Sequence, residues 1–289
     1  MNKKIGFLIF LVLLFTGLVV GFIYRDNILH VYNNNVEQFK KTDLANSINE
    51  VTKQIFTPGP LNIGGQSNAT ILVKSKIIAQ TNVQRFDNGM LPPLSENVKL
   101  NAAALVKAND LFKNQYFEHV SPSGVDPGTL VKNAGYEYIV SGENLILGNF
   151  KDEAEVVQKW MDSPGHRANI LNNRFTEIGV AVIKGTYKGQ TVWIGVQEFG
   201  LPLSACESPS NTLKVEIDNN KITLDELAVE IDIKKKEIDK TNQNSPQYNQ
   251  KVDEYNALVN QYNQLAQTTK NLIVQYNNQI NNFNGCVEG

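Results

Sequence analysis

The sequence predicts an α+β domain set between an apolar amino-terminal span and a helical tail. Three observations predict it. Ile178, Val180 and Val182 recur at every second position, as do Val192, Ile194 and Val196, with Gly185 and Gly189 marking a turn between them; that pattern is a β-hairpin, and helix signals ahead of it make the domain mixed and layered. The run Ile5–Tyr24 is apolar, interrupted only by Thr16 and glycines. The tail carries a seam at alternating steps of four and three from Tyr248 to Phe283, the spacing of a coiled coil.

Composition narrows the function classes. Of 289 residues, 42% are hydrophobic, which is ample for a core; the length suits about two domains. Twenty-seven basic residues against 29 acidic give a net charge of −2, without the basic footprint that nucleic-acid binding leaves. Two cysteines exclude a cysteine-dense scaffold, an all-cysteine zinc site and an iron–sulfur cluster.

The first segment, residues 1–24, reads as an uncleaved signal-anchor. At about 1.5 Å per residue, Ile5–Tyr24 spans about 30 Å, the hydrocarbon thickness of a bilayer. A cleaved signal peptide is the competing reading, but its apolar region is shorter and no A-x-A site follows residue 24. Lys3 and Lys4 precede the span while Arg25 and Asp26 nearly cancel, so the amino terminus is expected in the cytoplasm and the rest of the chain outside it. Residues 25–73 read as a stalk. Ile48, Val51 and Ile55 have helical spacing, Pro58-Gly59-Pro60 and Gly64-Gly65 break it, and Asn68-Ala69-Thr70 is a formal glycosylation sequon.

The segment 74–200 is the compact one. Leu105, Ala108 and Phe112 mark the packed face of a helix. Asp152 with Glu155 opens another, with Val156, Val157 and Trp160 on one face. Ser163-Pro164 opens a third, serine as cap and proline in the first turn. No G-x-S-x-G, H-E-x-x-H, C-x-x-C, Walker loop or dinucleotide fingerprint is present. Of three histidines, His30 adjoins the apolar span; His119 lies in Tyr116-Phe117-Glu118-His119-Val120-Ser121-Pro122 and His166 in Ser163-Pro164-Gly165-His166-Arg167, with Ser141-Gly142-Glu143-Asn144-Leu145 between them.

Those three motifs, in that order, resemble the bacterial branch of the CAP superfamily (cysteine-rich secretory, venom-antigen and plant pathogenesis-related proteins), also called SCP-like extracellular proteins. Ile77–Asn82 and Val192–Gly200 fit the same pattern. The resemblance covers about residues 74–200. It implies an α-β-α sandwich, a central antiparallel sheet between helical layers, with a cleft carrying two histidines and two acids that can hold a divalent metal. By motif, His119, Glu143 and His166 supply three members of that set. The second acid is expected three positions after a tryptophan, where Trp160 is followed by Met161, Asp162 and Ser163; serine takes the position, and Asp162 is displaced by one residue, about 100° around a helix. Two neutral imidazoles and a carboxylate, His119, His166 and Glu143, suit an open zinc site. The alternative is a hydrogen-bonded polar network that fixes the fold. Trp160, Trp193 and Phe199 read as core.

The tail, residues 206–289, reads as a helical hairpin. Thr223-Leu224-Asp225-Glu226 is a capping box, and Ser245-Pro246 opens a second, longer helix bearing the heptad seam. Its flanks are rich in asparagine and glutamine, so the ion pairs that choose partners are scarce, and two helices on a short turn fold back on each other. Cys206 and Cys286 bracket this module. Outside the cytoplasm a disulfide is the default for such a pair, with two free thiols as the other reading.

Three function classes follow for such a membrane-anchored, extracytoplasmic protein. One is a cell-surface binding module for a lipid, glycan, peptide or wall component. Another is a metal-assisted hydrolase of cell-surface material, although no nucleophile–base pair is visible. The third is an adhesion protein working through the coil. The binding module is favoured, and activity argued from fold alone is analogy.

Overall fold

The computed structural model describes residues 53–66 and 69–289. The expected anchor at residues 5–24, the sequon residue Asn68, and Ile48 and Val51 of the expected stalk helix lie outside the described residues. Among the described residues no helix is long and apolar enough to cross a membrane. The described residues form two compact units, one within residues 53–207 with 285–289, the other including residues 208–284.

The first unit is an α-β-α sandwich with six strands. Its centre is three long strands, β4 (Tyr138–Gly148), β5 (Glu177–Tyr187) and β6 (Gln190–Pro202), antiparallel in the order β4-β6-β5. The hairpin joining β5 to β6 turns at Lys188 and Gly189, both with positive φ (48° and 81°), the backbone that a tight hairpin requires. Gly185 therefore lies inside β5, where a Cβ would press on the Phe112 ring. The sheet is mixed, not antiparallel throughout. β3 (Ser95–Glu96) pairs parallel with β5, and β1 (Gln54–Phe56) and β2 (Leu61–Gly64) both pair parallel with β4. The last two correct the stalk reading: Ile55 is in a strand, and part of residues 25–73 belongs to the sheet.

Helices cover both faces because the long strands are apolar on both. On one face α2 (Val98–Asn114) packs Ala104, Ala108 and Leu111 against Leu145, Leu147, Val192, Ile194 and Val196. Its backbone comes so close to β5 that a Cβ on Gly179 would overlap the Leu100 carbonyl carbon and the Asn101 nitrogen. The expected face of this helix is only half right: Ala108 is buried, whereas Leu105 is 46% exposed, and Leu100, Ala103 and Leu111 take its place. On the other face lie α1 (Lys74–Asp87), α4 (Glu153–Asp162) and α5 (Pro164–Ile170). Trp160 of α4 is fully buried over Gly195, where the missing side chain makes room for the indole. The short α3 (Pro127–Asn133) packs beside α2. The Asp152 side chain accepts from Glu155 N at 2.8 Å, the N-cap its spacing predicts.

The second unit is a hairpin of α6 (Asn211–Asp239) and α7 (Pro246–Glu288). Leu224, Ile231 and Ile238 pack with Tyr255, Val259, Tyr262 and Ala266; Leu213 and Ile217 pack with Ile273, Tyr276 and Ile280. The heptad seam is thus satisfied within the chain. Helix α6 starts a dozen residues earlier than the capping box suggests. Ser210 is the cap, accepting from Leu213 N, while Thr223 sits mid-helix and donates back to Asn219 O. Cys206 and Cys286 are disulfide-bonded, with Cα atoms 5.8 Å apart, well inside the range such a bond needs.

Candidate functional site

The site forms where the β4 edge is left open. β1 pairs with Val140–Gly142 and β2 with Ile146–Gly148, so residues 57–60 pass the stretch 143–145 without joining the ladder. Glu143 and Asn144 point to opposite faces there, as neighbours in a strand must, and each founds a separate polar network.

On the α2 face, Glu143 Oε1 lies 2.6 Å from His119 Nδ1. The other ring nitrogen of His119 donates to the carbonyl of Pro58. His119 stands in the loop after α2, which leaves the helix at Gln115 in a left-handed conformation (φ 53°). Lys107 holds that loop: its ammonium donates to His119 O at 2.5 Å, Glu118 O at 2.7 Å and Tyr116 OH at 3.3 Å. Burial pushes the Lys107 ammonium down from its ordinary value, against the attraction of Glu143 and Glu198. Tyr116 donates to Asp110 at 2.6 Å.

Glu198 is the residue that sequence reasoning missed. It sits opposite Glu143 in the β4–β6 register, and both side chains are wholly buried. Neither Glu198 oxygen, nor Glu143 Oε2, meets a donor from another group. Burial, reinforced by the charge of Glu143, pushes the Glu198 carboxyl well above the usual carboxylate range. The signal was present in the alternation Val192, Ile194, Val196, which continued by two residues places Glu198 on the inward face.

On the opposite face a chain of side-chain amides ties the sheet to its helices. Asn169 donates to Phe56 O at 3.1 Å and to Asn144 Oδ1 at 3.0 Å; Asn144 donates to Gln197 Oε1 at 3.1 Å; Gln197 donates to Thr81 Oγ1 at 2.8 Å. Asn144 also donates to the His166 carbonyl at 3.2 Å, which places α5 against β4. The His166 ring is buried, and its Nδ1 lies 2.8 Å from Ser163 Oγ. Ser163 occupies the N-cap position of α5 but makes no side-chain cap bond there. Burial, then repulsion from His119, pushes the His166 ring down to about 4, so it is neutral at pH 7.

Of the five expected cleft residues, the structure pairs His119 with Glu143 and His166 with Ser163. Asp162 is exposed and accepts from Gln158 at 2.8 Å; the rotation by one residue carries it out of the cleft. The expected metal set is not assembled. His119 spends one nitrogen on Glu143 and the other on Pro58, His166 spends Nδ1 on Ser163, and among the described residues no group of three or more His, Cys, Asp or Glu is placed to hold an ion. The donors present do not fit zinc in this arrangement. Ser163 with His166 forms a hydroxyl–imidazole hydrogen bond that the sequence reading did not see. No carboxylate backs its imidazole: Nε2 is buried without a well-formed hydrogen bond.

Comparison with known proteins finds similarity in the central domain. A family model for the cysteine-rich secretory protein family (CAP) matches residues 79–199. The uncharacterized protein YkwD of Bacillus subtilis (strain 168) is 40% identical over 111 residues, covering 38% of this chain and 42% of that protein. The uncharacterized membrane protein YlbC of the same organism is 30% identical over 114 residues, covering 39% and 32%. The chain thus spans less than half the length of these curated relatives. An extracellular protein containing an SCP domain from Bacillus anthracis str. Ames superposes with a TM-score of 0.38 at 29% identity, covering 44% of this chain and 39% of that one. An outer surface protein of Borrelia burgdorferi gives 0.38 at 21% identity, covering 44% and 91%. Residues 79–199 thus match the cysteine-rich secretory protein (CAP) family, and a stretch of similar length carries the similarity to the two Bacillus relatives.

Proposed function

We propose that the CAP domain is an extracytoplasmic binding module whose recognition site is the β4-edge cleft of His119, Glu143 and His166, held at the membrane by residues 5–24. The observation that carries it is the state of the cleft's reactive groups. His119 is saturated by Glu143 and by a main-chain carbonyl, and His166 is held near 4 by burial, far from the poise a general base needs at neutral pH. Such a cleft is organised to hold a chain and not to turn one over. The disulfide supports an oxidising compartment, and one relative is named a membrane protein. The adhesion reading loses its instrument, since the seam of α7 is buried against α6.

The test is co-sedimentation of the full chain with isolated cell-surface material, with the supernatant assayed for released fragments. Binding that weakens in His119→Ala without fragment release is the expected result. Fragments that vanish in Ser163→Ala would establish the hydrolase in its place.

A further inference from the structure

The geometry points to the β4 edge as a docking groove for an extended, proline-containing polypeptide, with residues 53–64 as an occupant bound in cis. This rests on the binding-module reading and names the class of ligand. The strap lies along β4 as an added strand in two pieces, β1 and β2, both parallel to it; adding a strand to a free edge is a common way to bind a peptide. What the domain reads in the strap is mostly backbone. Asn169 takes Phe56 O, His119 takes Pro58 O, Asn149 N takes Gly64 O at 2.8 Å and Asn149 Nδ2 takes Gly65 O at 3.2 Å. An extended chain offers those carbonyls, and the placing of its prolines and apolar side chains then decides which chain fits.

The groove is also shaped by missing side chains. A Cβ on Gly165 would stand 2.6 Å from Pro58 Cβ, one on Gly148 2.9 Å from Gly64 O, and one on Gly142 3.3 Å from Phe56 O. Three glycines from β4 and α5 thus fall where the strap makes its closest approaches. The two prolines have a matching logic. Pro58 and Pro60 bring no N–H into the gap between β1 and β2, where the strap meets the His119 ring and not a ladder partner. A chain without proline there would carry amide hydrogens past a site that supplies a donor and not an acceptor.

The strap is held by main-chain bonds and by a small apolar contact. Ile55 is 39% exposed and Phe56 40%, yet Ile55 packs on Gly128 and the Phe56 ring meets Phe175 edge-on. Charging both side chains therefore detaches the strap, while a second copy of the segment reproduces the same contacts. Exchange is then a competition between the strap in cis and a similar segment in trans. A tethered strap competes at about millimolar effective concentration, which keeps the groove closed to weak ligands and open to those that fit it better.

The probe is a labelled synthetic peptide of residues 53–64, added to the full chain and to a full-chain variant with Ile55→Asp and Phe56→Asp, which detach the cis strap. The variant is expected to bind the peptide at least about tenfold more tightly than the parent, a scrambled peptide is expected to bind neither, and adding Gly165→Val is expected to abolish the gain. A folded variant that binds the peptide no better than the parent overturns the proposal. Hydrogen exchange on the unaltered chain gives a second reading that needs no variant. At several millimolar peptide the amides of residues 54–64 should exchange faster while those of β6 do not change; an unchanged strap overturns the proposal as well. A chain that binds surface material but fails both peptide tests would sink the ligand class and leave the binding module standing.

Discussion

Glu143 on β4 and Glu198 on β6 are direct cross-strand partners, both wholly buried, and burial together with the charge of Glu143 holds the Glu198 carboxyl well above its usual range. Two carboxylates this close cannot both ionise without large cost. The pair therefore makes the CAP domain's stability depend on pH from the acid side upward. Glu198 has its folded value raised, so between the ordinary carboxylate range and that value the folded state binds more protons than the unfolded state. The stabilisation is complete below about pH 4.3 and drains away as pH rises.

Glu198→Gln tests that sign. The amide keeps the size, supplies a permanent donor to Glu143 and no longer titrates. Thermal melts from pH 5 to 8 should show the parent losing stability that the variant keeps, with the variant ahead by about 1–3 kcal/mol at pH 8. A parent and variant with parallel pH profiles would show that the Glu198 carboxyl is not held above its usual range.

His166 contributes in the opposite direction. Its folded value is depressed, so its contribution is present above about pH 6.5 and is lost as pH falls toward the folded value. Proton NMR of the C2–H resonance should give His166 a midpoint about 4. A midpoint at the ordinary imidazole value would mean that the ring is solvated and free to act as a base.

Lys107 holds the His119 loop through three acceptors on Tyr116, Glu118 and His119. Lys107→Met keeps the aliphatic length and removes the donors, leaving the part-buried carbonyls of Glu118 and His119 unsatisfied. A loss of about 1–3 kcal/mol is expected in denaturant unfolding, with faster amide exchange across residues 115–125. Unchanged stability would show that water replaces the ammonium without cost.

The disulfide closes a loop with a sequence separation of 80. On the chain-entropy argument it stabilises by about 4 kcal/mol. Cys206→Ala with Cys286→Ala should lower the melting of α6 and α7 accordingly, and non-reducing gels of the parent should show a monomer. A reduction-sensitive dimer would contradict the intrachain bond.

What was legible in the sequence was what periodicity carries. The β5–β6 hairpin, the α7 seam and the Asp152 cap follow from spacing alone, because each is a local pattern facing a core. The family motifs marked His119, Glu143 and His166. What was not legible depended on tertiary pairing. The strap residues 54–64 are too short and too exposed to show alternation, so Pro58-Gly59-Pro60 read as a break and its contact with His119 was invisible. The capping box at Thr223 was a false start because packing of Leu213 and Ile217 carries α6 past it. Asp162, displaced by one residue from the expected acid position, faces away from the cleft, and the buried carboxyl opposite Glu143 comes from across the sheet.

The claim at the centre is that the cleft is occupied by the domain's own chain, with His119 sealed between Glu143 and Pro58. Acylation of histidines by diethyl pyrocarbonate, followed residue by residue by mass spectrometry on the full chain at pH 7, tests it most directly. His119, with 11% of its side chain exposed, is expected to react far more slowly in the parent than in the Ile55→Asp, Phe56→Asp variant. A His119 that reacts in the parent as fast as a free imidazole would contradict it.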